Sequence, residues 1–505
     1  GKVEGGGEGA LFPAPCSLSL DQSSSTALSS KQQMATIRFL LNDTIMKTDA
    51  PSGMAVLDFV RDTQGLKGTK HACREGDCGA CLVLVGTRQD DGAVRYQELT
   101  SCLLPLGDVA GRHLVTVEGL AGVALGPVQQ AIVDEGASQC GFCTPGFVVA
   151  MTGYFLTAAS YSTEGALIAL AGNLCRCTGY ASIRRAMQGL MDDLRPSVES
   201  ANDRVEALVA AGILPTYFAD IGTRLAELGD DGCGSNPLCP LVAGGSDLYV
   251  QRLHTIEGTS PRLLLREIDP RIWIEDGFVN MSATTTAEDL KNSPALRDTL
   301  GDIAPFIDVI CSQPIRNRAT IAGNIVNASP IGDMTIMLLA LDTELILTVG
   351  GQRRTLPLRD FYLGYKTLDL AEHEIVETLR FPETRRDGRF NFEKVSKRIY
   401  LDIASVNSAA WIELEGDRVS KAYLSAGGVA PVPMRLGRTE EWLRGQSVIA
   451  TTAREASAMA MAEVSPITDV RGSADYKRLL LGQLVLAHFH VLCGLEDGLV
   501  AEAGG

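Results

Sequence analysis

Between residues 34 and 62, apolar and polar positions first alternate and then fall into a helical rhythm. In MATIRFLLNDTIMKTDAPSGMAVLDFVRD the first half predicts short half-buried strands and the second a helix. Further along, GFVVAMTGYFL (146–156) is apolar on every face and predicts a buried helix, with Thr144 as N-cap and Pro145 in its first turn. ALIALAG (166–172) predicts a second helix ending at Gly172. Near the other end, VRGSADYKRLLLGQLVLAHF (470–489) reads as a long amphipathic helix. No apolar run reaches the roughly 18 to 20 residues that span a bilayer.

Length and charge narrow the picture. A chain of 505 residues exceeds what one core supports and predicts several compact units. A formal charge of −16 opposes binding to nucleic acid or to an anionic membrane, since phosphates are repelled. Residues 1–33 are rich in Gly and Ser and read as a flexible tail, with Met34 as the natural beginning of the folded part. With no secretory signal the expected compartment is the reducing cytoplasm, where thirteen cysteines would not be present to form disulfides.

Three of those cysteines crowd into HACREGDCGAC (71–81), a C-x4-C-x2-C pattern of Cys73, Cys78 and Cys81. Twenty residues intervene before Cys102. This is the plant-type ferredoxin spacing for a [2Fe-2S] cluster, and Gly76 and Gly79 let the backbone come close to sulfur. Structural zinc is the competing reading, but zinc sites usually show two C-x2-4-C pairs. A second set follows, Cys140 and Cys143 in SQCGFCTPGF and Cys175 and Cys177 in AGNLCRCTGY. Its four thiols would meet where helix ends converge. A redox disulfide between Cys140 and Cys143 is the alternative, and it leaves Cys175 and Cys177 unexplained. Cys16, Cys233, Cys239, Cys311 and Cys493 have no such spacing and read as ordinary thiols.

The second half has a different character. A Gly/Pro/Asp-rich stretch (227–240) reads as linker or loop, and PLVAGGSDLYVQ (240–251) is a β-like run entering a glycine pair. Such a turn exposes successive N–H groups that can hold a pyrophosphate. PIRNRATIAGNIVNASPIGDM (314–334) holds two Gly- and Asn-containing turns, which suggest backbone wrapped around a ligand. No Gly-x-Gly-x-x-Gly, P-loop, Gly-x-Ser-x-Gly or H-E-x-x-H motif is present, and the six histidines form no metal-ligand pattern and read as structural.

GTKHACREGDCGACLV, QCGFCTPGF and NLCRCTGY resemble the iron–sulfur portion of the xanthine dehydrogenase and molybdenum hydroxylase family. AGGSDL and the 314–334 segment resemble its FAD-binding domain, and FYLGYKTL, FEKVSKRIYLDIASVN, LSAGGVAPVPMR and VRGSADYKRLLLGQL extend the match to about residue 485. The resemblance implies an α+β multidomain chain. Its parts would be a β-grasp [2Fe-2S] ferredoxin domain (34–112), a helical-bundle [2Fe-2S] domain (113–200), a linker (201–229), a two-part α+β FAD-binding domain (230–385) and a C-terminal α/β domain (386–505). The FAD contacts it implies are Leu241, Val242, Ala243, Gly244, Gly245, Ser246, Asp247, Leu248, Thr320, Asn324, Asp333 and Lys394. Gly244, Gly245 and Ser246 would face the pyrophosphate, and Lys394 would offset negative charge on the cofactor or stand in solvent. Ile310 takes the place where some relatives set an aromatic over the flavin.

In function, the resemblance implies the small subunit of a two-subunit enzyme. A molybdenum-pterin large subunit would oxidise hypoxanthine and xanthine to urate, and electrons would pass through two [2Fe-2S] clusters to FAD and then NAD+. The expected assembly is a heterotetramer without nucleic acid or membrane, because this chain has no room for the large molybdenum domain. An equivalent subunit of an aldehyde or N-heterocycle dehydrogenase, and a free-standing NADH diaphorase, remain as rival readings.

Overall fold

The computed structural model describes residues 36–199, 203–229 and 239–495. The tail 1–33, Met34, Cys16, Cys233 and most of the 227–240 stretch lie outside the described residues. Among the described residues no helix is long and apolar enough to cross a membrane.

The alternation after residue 34 does form a hairpin, β1 (Ile37–Leu41) with β2 (Thr44–Thr48). β3 (Leu82–Arg88), β4 (Val94–Thr100) and β5 (His113–Val115) complete a mixed sheet ordered β2-β1-β5-β3-β4, in which β1 and β5 run parallel. This is the β-grasp ferredoxin arrangement. Phe39, Val83, Val85 and Leu114 fill one side of it beneath Val56, Phe59 and Val60. The other side, with Leu82, Leu84 and Tyr96, is shared with the helices that follow.

Helix Thr144–Thr157 is buried on nearly all sides, as its unbroken apolar run requires. Its N-cap is Cys143 rather than Thr144. The Thr144 hydroxyl is engaged with Ser138 Oγ at 2.7 Å and so does not cap a backbone N–H. Helix Thr163–Leu170 is capped by Ser162, whose hydroxyl accepts from Gly165 N–H, and it stops two residues before Gly172.

The span read as a linker is helical where it is described. Arg204–Ala210 and Ile221–Leu228 are helices, and Ile221, Leu225 and Leu228 pack with Leu40 of β1. Their spacing of four and three residues is a helix stripe, and burying it against the first domain outweighs the polar composition around it.

The next domain carries an antiparallel sheet ordered Gln352–Pro357, Glu344–Val349, Ile375–Pro382, Phe278–Ser282, Ile272–Glu275. A small parallel pair, Leu241–Val242 with Arg262–Leu263, precedes it. The last domain is a four-stranded antiparallel sheet from Arg389–Val395 to Met434–Arg435, covered by helices Ala450–Glu463 and Ala474–Cys493. Leu481, Leu484, Val485, Phe489 and Leu492 form the buried stripe of the latter, but the helix is not amphipathic as expected, since apolar Leu479 and Val491 lie exposed on its outer side. His488 on the same face is buried and neutral, held between Asn391 and Ser408. Burial pushes it down to about 3.

One carboxyl breaks the usual pattern of burial. Glu98 on β4 lies under the Thr144–Thr157 helix, where a Cβ at Gly153 would come within 2.3 Å of its Oε1. Its Oε2 is buried without a hydrogen-bond partner. Desolvation, with a lesser contribution from Glu288, pushes its carboxyl up to about 7. The folded state therefore binds the proton more tightly than the unfolded chain. The stability this shift provides is complete below pH 4.5, the ordinary value, and is lost as pH rises through about 7. Glu98→Gln should flatten that loss and leave the protein more stable at pH 8 by on the order of 3 kcal/mol. Thermal midpoints of the two proteins measured from pH 4.5 to 8 check this; parallel curves would contradict it.

Candidate cofactor sites

The loop before β3 is turned by three left-handed residues, Arg74, Gly76 and Gly79, with φ of 60°, 79° and 66°. It is closed by Lys70 N–H donating to the Ala80 carbonyl at 2.9 Å. A Cβ on Gly76 would lie 2.8 Å from Leu103 Cδ1 and 3.0 Å from Ile315 Cδ1, so only glycine lets the loop sit this close. The turns bring Cys73 and Cys78 sulfurs to 3.2 Å. Ser101 donates both its N–H and its hydroxyl to the Cys81 carbonyl, and Cys102 next to it stands 3.4 Å from Cys81, sulfur to sulfur.

The second set is paired in the same manner. Cys140 and Cys177 are 3.5 Å apart, and Cys143 neighbours Cys175. The disulfide candidate Cys140–Cys143 is thus not the pairing present, and all eight thiols are free. Two pairs of thiols suit a two-iron cluster, with two thiolates to each iron.

Acidity divides within the pairs. The neighbouring Cys78 S–H pulls Cys73 down to about 5, while Cys78 itself is pushed up. Cys81 is lowered by Cys102, and Cys102 is raised by Cys81. Backbone N–H groups aimed at sulfur assist, as at Glu75 N, 3.3 Å from Cys73 Sγ. Cys140 is lowered first by the Phe142 N–H and then by Cys177. One thiol of each pair is therefore shifted toward thiolate and the other away from it.

The two cysteine loops touch. Leu174 N–H donates to the Cys78 carbonyl at 3.0 Å, and Asn173 Nδ2 donates to the Gly79 carbonyl at 3.3 Å. Gly79 and Gly146 permit this contact, since a Cβ on Gly146 would lie 2.3 Å from the Gly79 carbonyl oxygen. Cys140 and Cys177 are exposed, whereas Cys81 and Cys102 are buried.

The residues implied for FAD lie on the other side of the first loop. Cys81 and Cys102 share one small core with Val242, Tyr249 and Leu263, which flank the AGGSDL turn. Gly245 has φ of 77°. Among the described residues the N–H groups of Gly245, Ser246 and Asp247 have no protein acceptor, as a backbone cradle for an anion requires. Burial raises the Asp247 carboxyl, against the pull of Lys366. Thr320 caps helix Ile321–Asn327 through Gly323 N–H. Asn324 Oδ1 already accepts from Thr335 N–H and hydroxyl, which leaves its amide NH2 for a ligand. The residues present therefore fit a dinucleotide flavin at the turn.

Lys394 is only 4% exposed, so it does not stand in solvent. It donates to Asp333 Oδ2 and to the Val309 carbonyl, both at 2.8 Å, because a buried ammonium needs a buried counter-charge. The other Asp333 oxygen accepts from Asn407 Nδ2. Ile310 is buried in the domain core. Sequence reasoning missed Asn407, although an amide in the apolar strand Val406–Glu415 was a signal. It also missed Asn173 and Arg318.

Comparison with known proteins agrees with this layout. Residues 39–106 match the 2Fe-2S iron-sulfur cluster binding domain and residues 116–188 the [2Fe-2S] binding domain. Residues 221–384 match the FAD binding domain in molybdopterin dehydrogenase, and residues 392–491 the CO dehydrogenase flavoprotein C-terminal domain. Xanthine dehydrogenase 2 of Arabidopsis thaliana is 30% identical over 79% of this chain. Xanthine dehydrogenase of Emericella nidulans is 28% identical over 81%. The chain belongs to the molybdenum hydroxylase family. It carries that family's two [2Fe-2S] domains and its FAD-binding domain. The chain spans about a third of the length of these relatives, 35% in both cases. Among solved structures, a carbon monoxide dehydrogenase from Hydrogenophaga pseudoflava covers 48% of this chain and 86% of its own, at 29% identity and a TM-score of 0.45.

Cys102→Ser tests the first molybdenum-hydroxylase cluster site directly. One of two [2Fe-2S] signals in electron paramagnetic resonance should vanish or change while the other persists. Two unchanged signals would contradict the assignment of Cys102.

Proposed function

We propose that this chain is the electron-transfer subunit of a xanthine dehydrogenase. Cys73, Cys78, Cys81 and Cys102 would hold one [2Fe-2S] cluster, Cys140, Cys143, Cys175 and Cys177 the other, and the 241–248 turn with Thr320 and Asn324 the FAD. A partner subunit would carry the molybdenum-pterin centre that oxidises hypoxanthine and xanthine to urate, and NAD+ would take the electrons. The clusters supply one-electron transfer, and the flavin converts single electrons into hydride.

The observation that carries this reading is the order in which the sites touch. Exposed Cys140 and Cys177 mark an end open to a docked donor. From there the chain of contacts runs through Cys175 and Leu174 to the Cys78 carbonyl, and from buried Cys81 and Cys102 into the core beside the flavin turn. Purine specificity is supported by the names of the similar proteins, which are xanthine dehydrogenases at 28–30% identity. The C-terminal match to a CO dehydrogenase flavoprotein domain favours a second reading, the same relay serving a different oxidisable substrate.

The test is to purify the chain from its native cells with whatever binds it and to assay NADH formation with xanthine. The expected result is a molybdenum-containing partner and xanthine-dependent NADH. A molybdenum partner without purine turnover would shift the reading to the second substrate class. NADH-to-dye activity with no partner would overturn it in favour of a diaphorase.

A further inference from the structure

Arg318 is buried where three parts of the molecule meet. Its Nη2 donates to Asp108 Oδ2 of the ferredoxin domain at 2.6 Å, and the two side chains are 5% and 1% exposed. Its Nε donates to the Gly244 carbonyl of the flavin turn at 3.0 Å. Asp108 follows Cys102 by six residues, and its Oδ1 is buried with no hydrogen-bond partner. The guanidinium is thus the only hydrogen-bond partner of the Asp108 carboxylate among the described residues, so the pair must stay closed.

In a trans peptide the C=O and the following N–H lie in one plane and point in opposite directions. With the Gly244 oxygen held toward Arg318, the Gly245 N–H must point to the face away from Arg318. That N–H is one of the three in the turn without a protein acceptor. Gly244 also lies flat on the chain at Arg318, where a Cβ would come within 1.9 Å of the Arg318 carbonyl oxygen. A second tie, from Tyr249 hydroxyl to the Gly53 carbonyl at 2.7 Å, holds the helix after the turn to the same ferredoxin domain.

We propose that Arg318 is a positioning residue for the flavin, and that its ion pair with Asp108 makes the shape of the pyrophosphate-binding turn depend on a docked ferredoxin domain. The inference rests on the FAD reading of the 241–248 turn. Arg318 touches no cofactor in this scheme. It orients the peptide that does, and Asp108 orients Arg318.

The experiment uses the full chain with its native partners, deflavinated and titrated with FAD, with ADP as a second probe carrying the same pyrophosphate. The double variant Asp108→Leu with Arg318→Met removes the latch without leaving a buried charge alone. It should keep both [2Fe-2S] signals in electron paramagnetic resonance and bind FAD and ADP at least 10-fold more weakly. Arg318→Lys, which keeps the cation but not the two-pronged donor, should recover part of the loss. FAD affinity within twofold of wild type in the double variant, with both signals intact, would overturn the proposal. Should the double variant lose a cluster signal, Arg318→Lys decides: weakening of threefold or more supports the latch, and unchanged affinity overturns it. Wild-type protein that takes up no FAD would instead defeat the flavin reading itself.

Discussion

The contact on which the molecule turns is that between the Gly79 carbonyl and the Asn173–Leu174 segment. Two cysteine loops are pressed together there, with the Asn173 side chain against Gly79, which has no room for a Cβ. Gly79 provides the left-handed turn and Gly146 the bare surface beneath it. The backbone bond from Leu174 to the Cys78 carbonyl then joins the neighbour of Cys175 in one set to a member of the other. Electron transfer between buried centres falls steeply with separation, so a relay needs its stations held close without flexible filler. Gly172 repeats the device one step further on, where a Cβ would lie 2.9 Å from Ser312 Cβ in the flavin domain.

This close packing accounts for features that look costly on their own. Buried charges occur where domains meet, with Arg318 on Asp108 and, inside the flavin domain, Arg316 between Glu288 and Asp308. Asn317, from the same short segment, donates to the Glu98 carbonyl of β4. An ion pair of this kind contributes little net stability compared with apolar packing, yet it tolerates only one register. In a molybdenum hydroxylase the register between domains is what sets the spacing of the redox sites. The IRNRA stretch is therefore better understood as a clamp than as a binding motif.

Different parts of this arrangement were legible in the sequence to different degrees. The grouping of the cysteines was readable because their spacing is fixed within short loops, and the structure sets Cys102, just after β4, beside Cys81, just before β3. The glycine-pair turn was readable for a similar local reason. What stayed hidden acts across the fold: Arg318 meets a residue 210 positions away, and Asn407 meets one 74 positions away. A lysine beside apolar residues can face solvent or a buried carboxylate, so Lys394 could not be placed until Asp333 was seen opposite it. The helices at 204–228 were missed because the stripe Ile221, Leu225, Leu228 is short and set among charged residues, and its partner Leu40 lies in the first strand. Thr144 failed as a cap for a nearer reason, since the Ser138 hydroxyl competes for it.

Burial is graded along the two sets of thiols. Cys140 and Cys177 face solvent, Cys73 and Cys78 are half-buried, and Cys81 and Cys102 are sealed under Leu57, Leu103 and Val242. On the proposed reading, a docked donor would meet the first of these. A protein partner covering the exposed thiols would also dry the open end, strengthening the N–H groups that point at sulfur there, since such bonds gain strength as local dielectric falls. The buried end already has that environment from its own fold.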